Sequence, residues 1–469
     1  MTATLHTRPT AATGWRTELR RMARLALPIV ATQLAWISLL STDTAMIGRL
    51  GQEPLAGASL SMMLFFLVWV ACFGIVTATA ALAAQAYGAR QPRIVRRVVR
   101  QGLWVTITLT VPALVLFRFT PEILMFLDQP PEALPHAHAY MEWLMWSLPT
   151  SVGFTVLRNF VSALNRPGWA LWVMMSGVPV NAALDYALIF GNFGFPRMEL
   201  TGAGIATAVV NLLMFLGLLA VAVFHRRFRA YAVLGRFWRP DWQQYRAIFR
   251  IGLPIAGQAL LESGFFIACV MLMGQFGSLA IAATVIALQL PHVAFMVPMG
   301  LAQAATVRVG QAAGRRDAAG AYRAGWTAVG IALAYMTVTT SLVLTIPESF
   351  ASIFIDTTRP DSAAVLSLAV SYLFFAAFFQ AGDSVQAVAA GALRGVSDTA
   401  VPMLIAGASY WGIGLATGLY LAFEAGMEGA GLWAGFVAGL SSAAILLTLR
   451  FRALGRRSHL PRTPAARTG

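Results

Sequence analysis

Twelve stretches of mostly apolar residues, each long enough to cross a bilayer and nearly free of charge, leave this chain few folds to choose from. At 1.5 Å rise per residue, about 20 apolar residues cross a bilayer core as a helix. Only helices and closed barrels satisfy every backbone polar group in lipid, and runs of this length are helical. The spans are read near 25–48, 58–83, 102–120, 139–161, 169–191 and 203–224, then 251–273, 280–307, 325–346, 366–391, 401–423 and 428–449. Only 11% of residues are charged, against about 25% in soluble domains. The expected fold class is an all-α polytopic membrane protein.

Charge orients it. All 34 basic residues are Arg, and 30 of them precede the first span, follow an even-numbered span or sit at its end (Arg158), or follow the last. The opposite side holds Arg49, Arg118, Arg197 and Arg359 with ten acids. Basic residues stay on the cytoplasmic side, so both termini are expected in the cytoplasm. The net charge of +15 is then a topological signal, and no nucleic-acid partner is expected. Cys72 and Cys269 lie in apolar spans, which favours buried packing over a disulfide. The first span contains Asp43 and no small-residue cleavage site, which favours a retained helix over a signal peptide.

The chain is also duplicated. RLALPIVATQ from Arg24 lines up with RIGLPIAGQA from Arg250, an offset of 226 that carries Gly51 onto Gly277, Gln85 onto Gln311 and Gly88 onto Gly314. Further on, Ser162 falls on Gly391 at 229 and Leu200 on Met427 at 227. Six spans per copy keep both copies in one orientation. The expectation is two six-helix lobes related by a pseudo-two-fold axis along the membrane normal, with a cavity between them. The division is a tail (1–24), an N-lobe (25–224), a cytoplasmic linker (225–247), a C-lobe (248–450) and a second tail (451–469). Pro28 and Pro254 occupy matching positions and predict a bend that each half uses.

Four acids sit where they are costly: Asp43, Asp185, Glu262 and Asp383. An ionised carboxylate at mid-bilayer costs about 2.5–3.5 kcal/mol on insertion scales, so each needs a partner, a proton or a cation. Glu142, beside His136 and His138, lies near an interface that solvates it. Asn181 and Asp185 are four apart and share a helix face; Thr207 in the next span offers a hydroxyl and Asp43 a second carboxylate. Oxygen ligands alone suit a hard cation or a proton rather than zinc or copper. Glu262 and Asp383 would form a second pair, which takes up a proton or a cation because two neighbouring carboxylates do not both stay ionised. The competing account is a protonated acid hydrogen-bonding between packed helices. Trp36 stands at the repeat position of Glu262 and Cys269 at that of Asp43, so the scaffold is symmetric while its chemistry is not. No nucleophile elbow, metal-ligand spacing or phosphate loop occurs. A transporter driven by an ion gradient, with no cofactor or resident metal, is expected over an enzyme.

The pieces STDTAMIGRLG (41–51), QAYGAR (85–90), GVPVNAALDYALIFGNFGFP (177–196), GAGIATA (202–208), LPIAGQALLESGFF (253–266), MVPMGLAQAATVRVGQAAG (296–314) and AGDSVQAVAAGALRGVSDT (381–399) together resemble the multidrug and toxic compound extrusion (MATE) family, in its NorM-type branch. The resemblance runs from about Leu25 to Arg450. It implies twelve helices in two lobes and export of cationic or amphiphilic drugs and dyes against inward Na⁺ or H⁺, by a chain functional as a monomer. It also implies an N-lobe site of Asp43, Asn181, Asp185 and Thr207, and a C-lobe site containing Glu262 and Asp383. Some members of that branch carry Tyr one turn before this Asp; here the residue is Phe379, which lacks the phenolic oxygen. The alternative function on the same scaffold is a flippase or exporter of a lipid-linked oligosaccharide or metabolite, for which a cationic cavity is expected.

Overall fold

The computed structural model of the chain describes residues 14–352 and 362–456. Residues 1–13 and 457–469 of the tails, and the loop charges Asp356, Arg359 and Asp361, lie outside the described residues. The spanning elements are α1 (Trp15–Ile47), α2 (Gln52–Gly88), α3 (Pro92–Arg118), α4 in two pieces (Leu134–Leu144 and Ser147–Ala163), α5 (Gly168–Phe190) and α6 (Glu199–Phe224). The second half holds α7 (Trp242–Met273), α8 in two pieces (Ser278–Ala294 and Met296–Gly314), α9 (Ala318–Thr345), α10 (Ser362–Gly395), α11 (Ala400–Glu424) and α12 (Glu428–Arg456).

Several helices outrun the bilayer. The 33 residues of α1 rise about 50 Å, well beyond a core of about 30 Å. Helix α1 therefore starts at Trp15, ahead of the span expected from residue 25, and α12 runs to Arg456, past the span expected to end near 449. The interlobe linker contains a short helix, Arg226–Arg229. It is strapped to the N-lobe by Arg100 Nη1 and Trp104 Nε1, which donate to the carbonyls of Arg236 and Phe237 at 3.0 and 2.9 Å.

Among the described residues, eleven helices are long and apolar enough to span; α4 is the twelfth crossing, and it is broken. Pro149 has no N–H to offer the Met145 carbonyl. The chain tightens just before it: Trp146 N donates to Trp143 O at 3.2 Å and Leu148 N to Met145 O at 3.1 Å. The interruption in α8 has the same origin. Pro298 frees the carbonyl of Ala294, and the Tyr335 hydroxyl of α9 donates to it at 3.3 Å. In α11 the helix widens to π geometry over Ala408–Gly414 and Tyr420–Glu424.

The pseudo-two-fold is visible residue by residue where the lobes touch. Gly74 of α2 packs on Ala256 of α7, and its repeat partner Gly300 of α8 packs on Val30 of α1, the partner of Ala256. A Cβ on Gly74 would lie 2.8 Å from Ala256 N, and one on Gly300 would lie 2.9 Å from Val30 N. Nearer the face that carries the termini, Gly88 closes on the Gln311 backbone and Gly314 on that of Gln85. The two glutamine amides then reach across in opposite directions. Gln85 Nε2 donates to Gly395 O (2.8 Å) and Ser397 Oγ (2.9 Å); Gln311 Nε2 donates to Ala163 O (2.9 Å) and Asn165 Oδ1 (3.1 Å). Asn165 and Ser397 both adopt positive φ, 60° and 62°, so the structural offset here is 232 rather than 229.

A buried bidentate pair joins the same seam. Arg308 of α8 donates from Nε and Nη2 to the two carboxylate oxygens of Glu18 of α1, at 2.9 and 2.7 Å. Among the described residues, every hydrogen bond between the lobes lies at Gln33 or nearer the termini-bearing face.

Candidate ion and substrate sites in the two lobes

In the N-lobe the four expected side chains meet. Asp43 comes from α1, Asn181 and Asp185 from successive turns of α5, and Thr207 from α6; all are buried. The Asn181 amide places one hydrogen toward each carboxylate: Nδ2 donates to Asp43 Oδ1, and to Asp185 Oδ2 at 2.7 Å. Thr207 Oγ1 lies 3.2 Å from Asp43 Oδ2 and 3.0 Å from the Ala203 carbonyl. Having one hydrogen, the hydroxyl can serve only one of those acceptors at a time. Asn181 Oδ1 and Asp185 Oδ1 are sealed from solvent with no donor. Buried oxygens without donors are rare, and an all-oxygen set of this kind has the chemistry to hold a proton or a hard cation. Tyr140 of α4, fully buried, stands beside Thr207; nothing in the sequence singled it out.

The C-lobe acids also meet, through a residue that sequence reasoning missed. Gln386 Nε2 lies 3.3 Å from both Glu262 Oε2 and Asp383 Oδ1, so one amide bridges the two carboxylates. Its signal was available: three residues after Asp383, it lies on the same helix face. Tyr410, in the π stretch of α11, reaches Glu262 Oε2 at 3.5 Å. The phenol absent at position 379 is thus supplied from another helix, and no local pattern marks it. Phe379 itself turns its ring away from this polar cluster, packing 5.7 Å from Trp433, 5.9 Å from Phe436 and 6.1 Å from Phe266. Asp383 is buried and Glu262 half-buried. Arg394 faces Glu262, but no Arg comes within ion-pair distance of either acid among the described residues.

One intramembrane charge runs against expectation. Arg158 belongs to the second piece of α4, five residues from its end, and not to a connecting loop. It is 7% exposed. Nη1 donates to Gln33 Oε1 at 2.9 Å, the guanidinium lies 5.9 Å from the centre of the Phe73 ring, and Nε is buried without an acceptor. The ionisable groups of the interior are therefore not all acidic. Cys72 and Cys269 are buried free thiols.

Comparison with known proteins agrees with the duplication. The MatE family model matches residues 28–187 and again 254–419, one copy per lobe. The chain is 43% identical over 439 residues to a Mesorhizobium japonicum protein named probable multidrug resistance protein NorM, covering 93% of this chain and 94% of that one. A protein of the same name from Pseudomonas aeruginosa is 38% identical over 435 residues, covering 92% and 89%. Among solved structures, the eukaryotic MATE transporter AtDTX14 superposes with a TM-score of 0.84 at 22% identity, covering 95% of this chain and 99% of that one. The family match spans both lobes and the NorM relatives cover nearly the whole length, so this chain belongs to the MatE family of membrane transporters.

Proposed function

We propose that this protein is a multidrug exporter of the bacterial inner membrane, with both termini in the cytoplasm. Cationic or amphiphilic compounds leave the cell in exchange for inward Na⁺ or H⁺. The observation that carries this is a pair of buried carboxylate clusters, one in each lobe, each strung on a single amide and neither neutralised by an ion pair. A close pair of carboxylates in low dielectric takes up a positive charge, and a drug cation and a coupling ion compete for that role. The lobes meet in the cytoplasmic half of the molecule, which supports rocking between outward-open and inward-open states. A ligand moves such an equilibrium only through different affinities for the two states, so the acids that both cations need are the coupling elements. The printed names of the NorM relatives support the same reading.

The test is dye efflux from proteoliposomes under separately imposed Na⁺ and pH gradients. Glu262→Gln and Asp383→Asn should abolish gradient-driven ethidium efflux while leaving the protein inserted. Normal rates in both variants would remove the assignment. A second reading, export of a lipid-linked substrate with an anionic headgroup, has one observation in its favour, the buried guanidinium of Arg158 beside Gln33. If the native protein moves a labelled lipid pyrophosphate across vesicles but shows no gradient-driven efflux of cationic dyes, and Arg158→Gln stops the lipid movement, the second reading prevails.

A further inference from the structure

At the seam between the lobes, on the termini-bearing face, a cleft of about 380 Å³ is lined by Arg21, Arg24, Arg308, Arg315, Tyr87 and Gln311. Arg21 and Arg24 project from α1 of the N-lobe; Arg308 and Arg315 belong to α8 and its C-terminal cap in the C-lobe. Arg308 forms the floor, engaged with Glu18, while Arg21, Arg24 and Arg315 stand exposed at the rim without a carboxylate within 4.0 Å among the described residues. Beside it lies a second cleft of about 410 Å³ that shares Tyr87 and Arg315 and adds Arg90. The nearest acids are Glu18, already paired, and Asp317, whose carboxylate accepts from Gly320 N at 2.7 Å as the cap of α9. Positive charge is thus in excess.

The tendency of Arg to sit on the cytoplasmic side accounts for the number of arginines here. It does not require arginines of two lobes to converge on one cavity. Although Arg315 is exposed at the rim, partial burial of its guanidinium against the seam, and then the like charges of Arg308 and Arg21, push it below its ordinary range, only partly offset by Asp317 and Glu18. An anion between them would relieve that repulsion. The guanidinium fork matches phosphate oxygens, and basic pockets between membrane helices on the cytoplasmic side take lipid headgroups.

We propose that this cleft binds a phosphate group, carried by an anionic lipid of the inner leaflet or by a soluble polyphosphate, and that the bound group ties the two lobes together in the cytoplasm-closed state. The cytoplasmic placement rests on the orientation proposed above; the binding itself does not depend on transport.

The experiment measures full-length protein in nanodiscs. One arm titrates labelled inorganic pyrophosphate into zwitterionic-lipid discs; the other counts phosphatidylglycerol retained in native mass spectrometry. The cleft variant Arg21→Gln/Arg24→Gln/Arg315→Gln is compared with Arg226→Gln/Arg227→Gln/Arg229→Gln, which removes equal charge from the linker. Losing charged hydrogen bonds worth about 1.5–3 kcal/mol each predicts a drop of about tenfold or more per arginine, in the cleft variant alone. Pyrophosphate binding would identify a soluble ligand; lipid retention without it would identify a headgroup. Arg315→Gln alone serves if the triple variant does not fold. Equal losses in the cleft and linker variants, or binding of neither probe, would overturn the proposal. Intact binding with no ion-driven efflux would count against the transport reading instead.

Discussion

Glu18→Gln is the most informative single change, because it touches only the contact between the lobes. The Glu18 and Arg308 side chains are 5% and 9% exposed and joined by two hydrogen bonds of 2.9 and 2.7 Å. Removing one partner of a buried pair leaves the other uncompensated, at a cost of about 3–5 kcal/mol. That cost falls on the state in which the lobes are closed on the termini-bearing side, as they are here; were they to part, Arg308 would be hydrated. The open/closed ratio should therefore rise roughly 100-fold or more. Spin labels at Arg93→Cys and Arg452→Cys, exposed positions on opposite lobes, would report the separation by pulsed electron resonance. The expected result is a shift of the distance distribution to longer values, reversed in a Glu18→Arg/Arg308→Glu double variant. A folded Glu18→Gln protein with the wild-type distribution would refute the argument that this pair holds the seam.

Asp43→Asn and Asp185→Asn should each stop ion-driven efflux in proteoliposomes while leaving insertion and retention time on gel filtration unchanged; active variants would release the N-lobe cluster from any coupling role. Gln386→Ala removes two 3.3 Å contacts, each worth about 0.5–1.5 kcal/mol, so the coupling-ion concentration for half-maximal efflux should move by roughly 5- to 150-fold. Gly88→Leu and Gly314→Leu should impair closure equally, since each side chain would strike the backbone of the other lobe at an overpacking cost of about 1–3 kcal/mol; cysteine accessibility on the termini-bearing face should rise in both. Tyr335→Phe leaves the Ala294 carbonyl without a donor, a loss of about 1–3 kcal/mol, detectable as unfolding at lower denaturing-detergent fraction.

The bilayer made most of the architecture readable. It demands long apolar helices, it prices charge heavily, and it sorts Arg to one side, so span number and duplication were legible from residues alone. The same pricing exposed Asp43, Asp185, Glu262 and Asp383. What escaped were groups that cost little or lay near a boundary. Gln386 and Tyr410 are uncharged and raise no alarm in an apolar span. Arg158 lies so close to the end of α4 that it counted as one more topological arginine. The first ten residues of α1 carry Arg and Glu and read as a tail, because the helix continues past the lipid and uses Glu18 to grip the other lobe. The α4 break depends on which carbonyl Pro149 deprives, a detail of geometry that a hydropathy pattern does not carry.

The glycine crossings at Gly74 and Gly300 carry a mechanical consequence. With no side chain on the glycines, the backbones of α2 and α8 close directly on Ala256 and Val30, and sliding would meet a hard wall while tilting would meet less resistance. That waist is a fulcrum. Gly88 lies 14 residues farther along α2, a lever of about 21 Å, so a tilt of about 15° would swing it through about 5 Å. Such an arc would be enough to tear every hydrogen bond that Gln85 and Gln311 make across the seam at once, so a gate hung at that distance from its pivot would open as a unit, without partial steps.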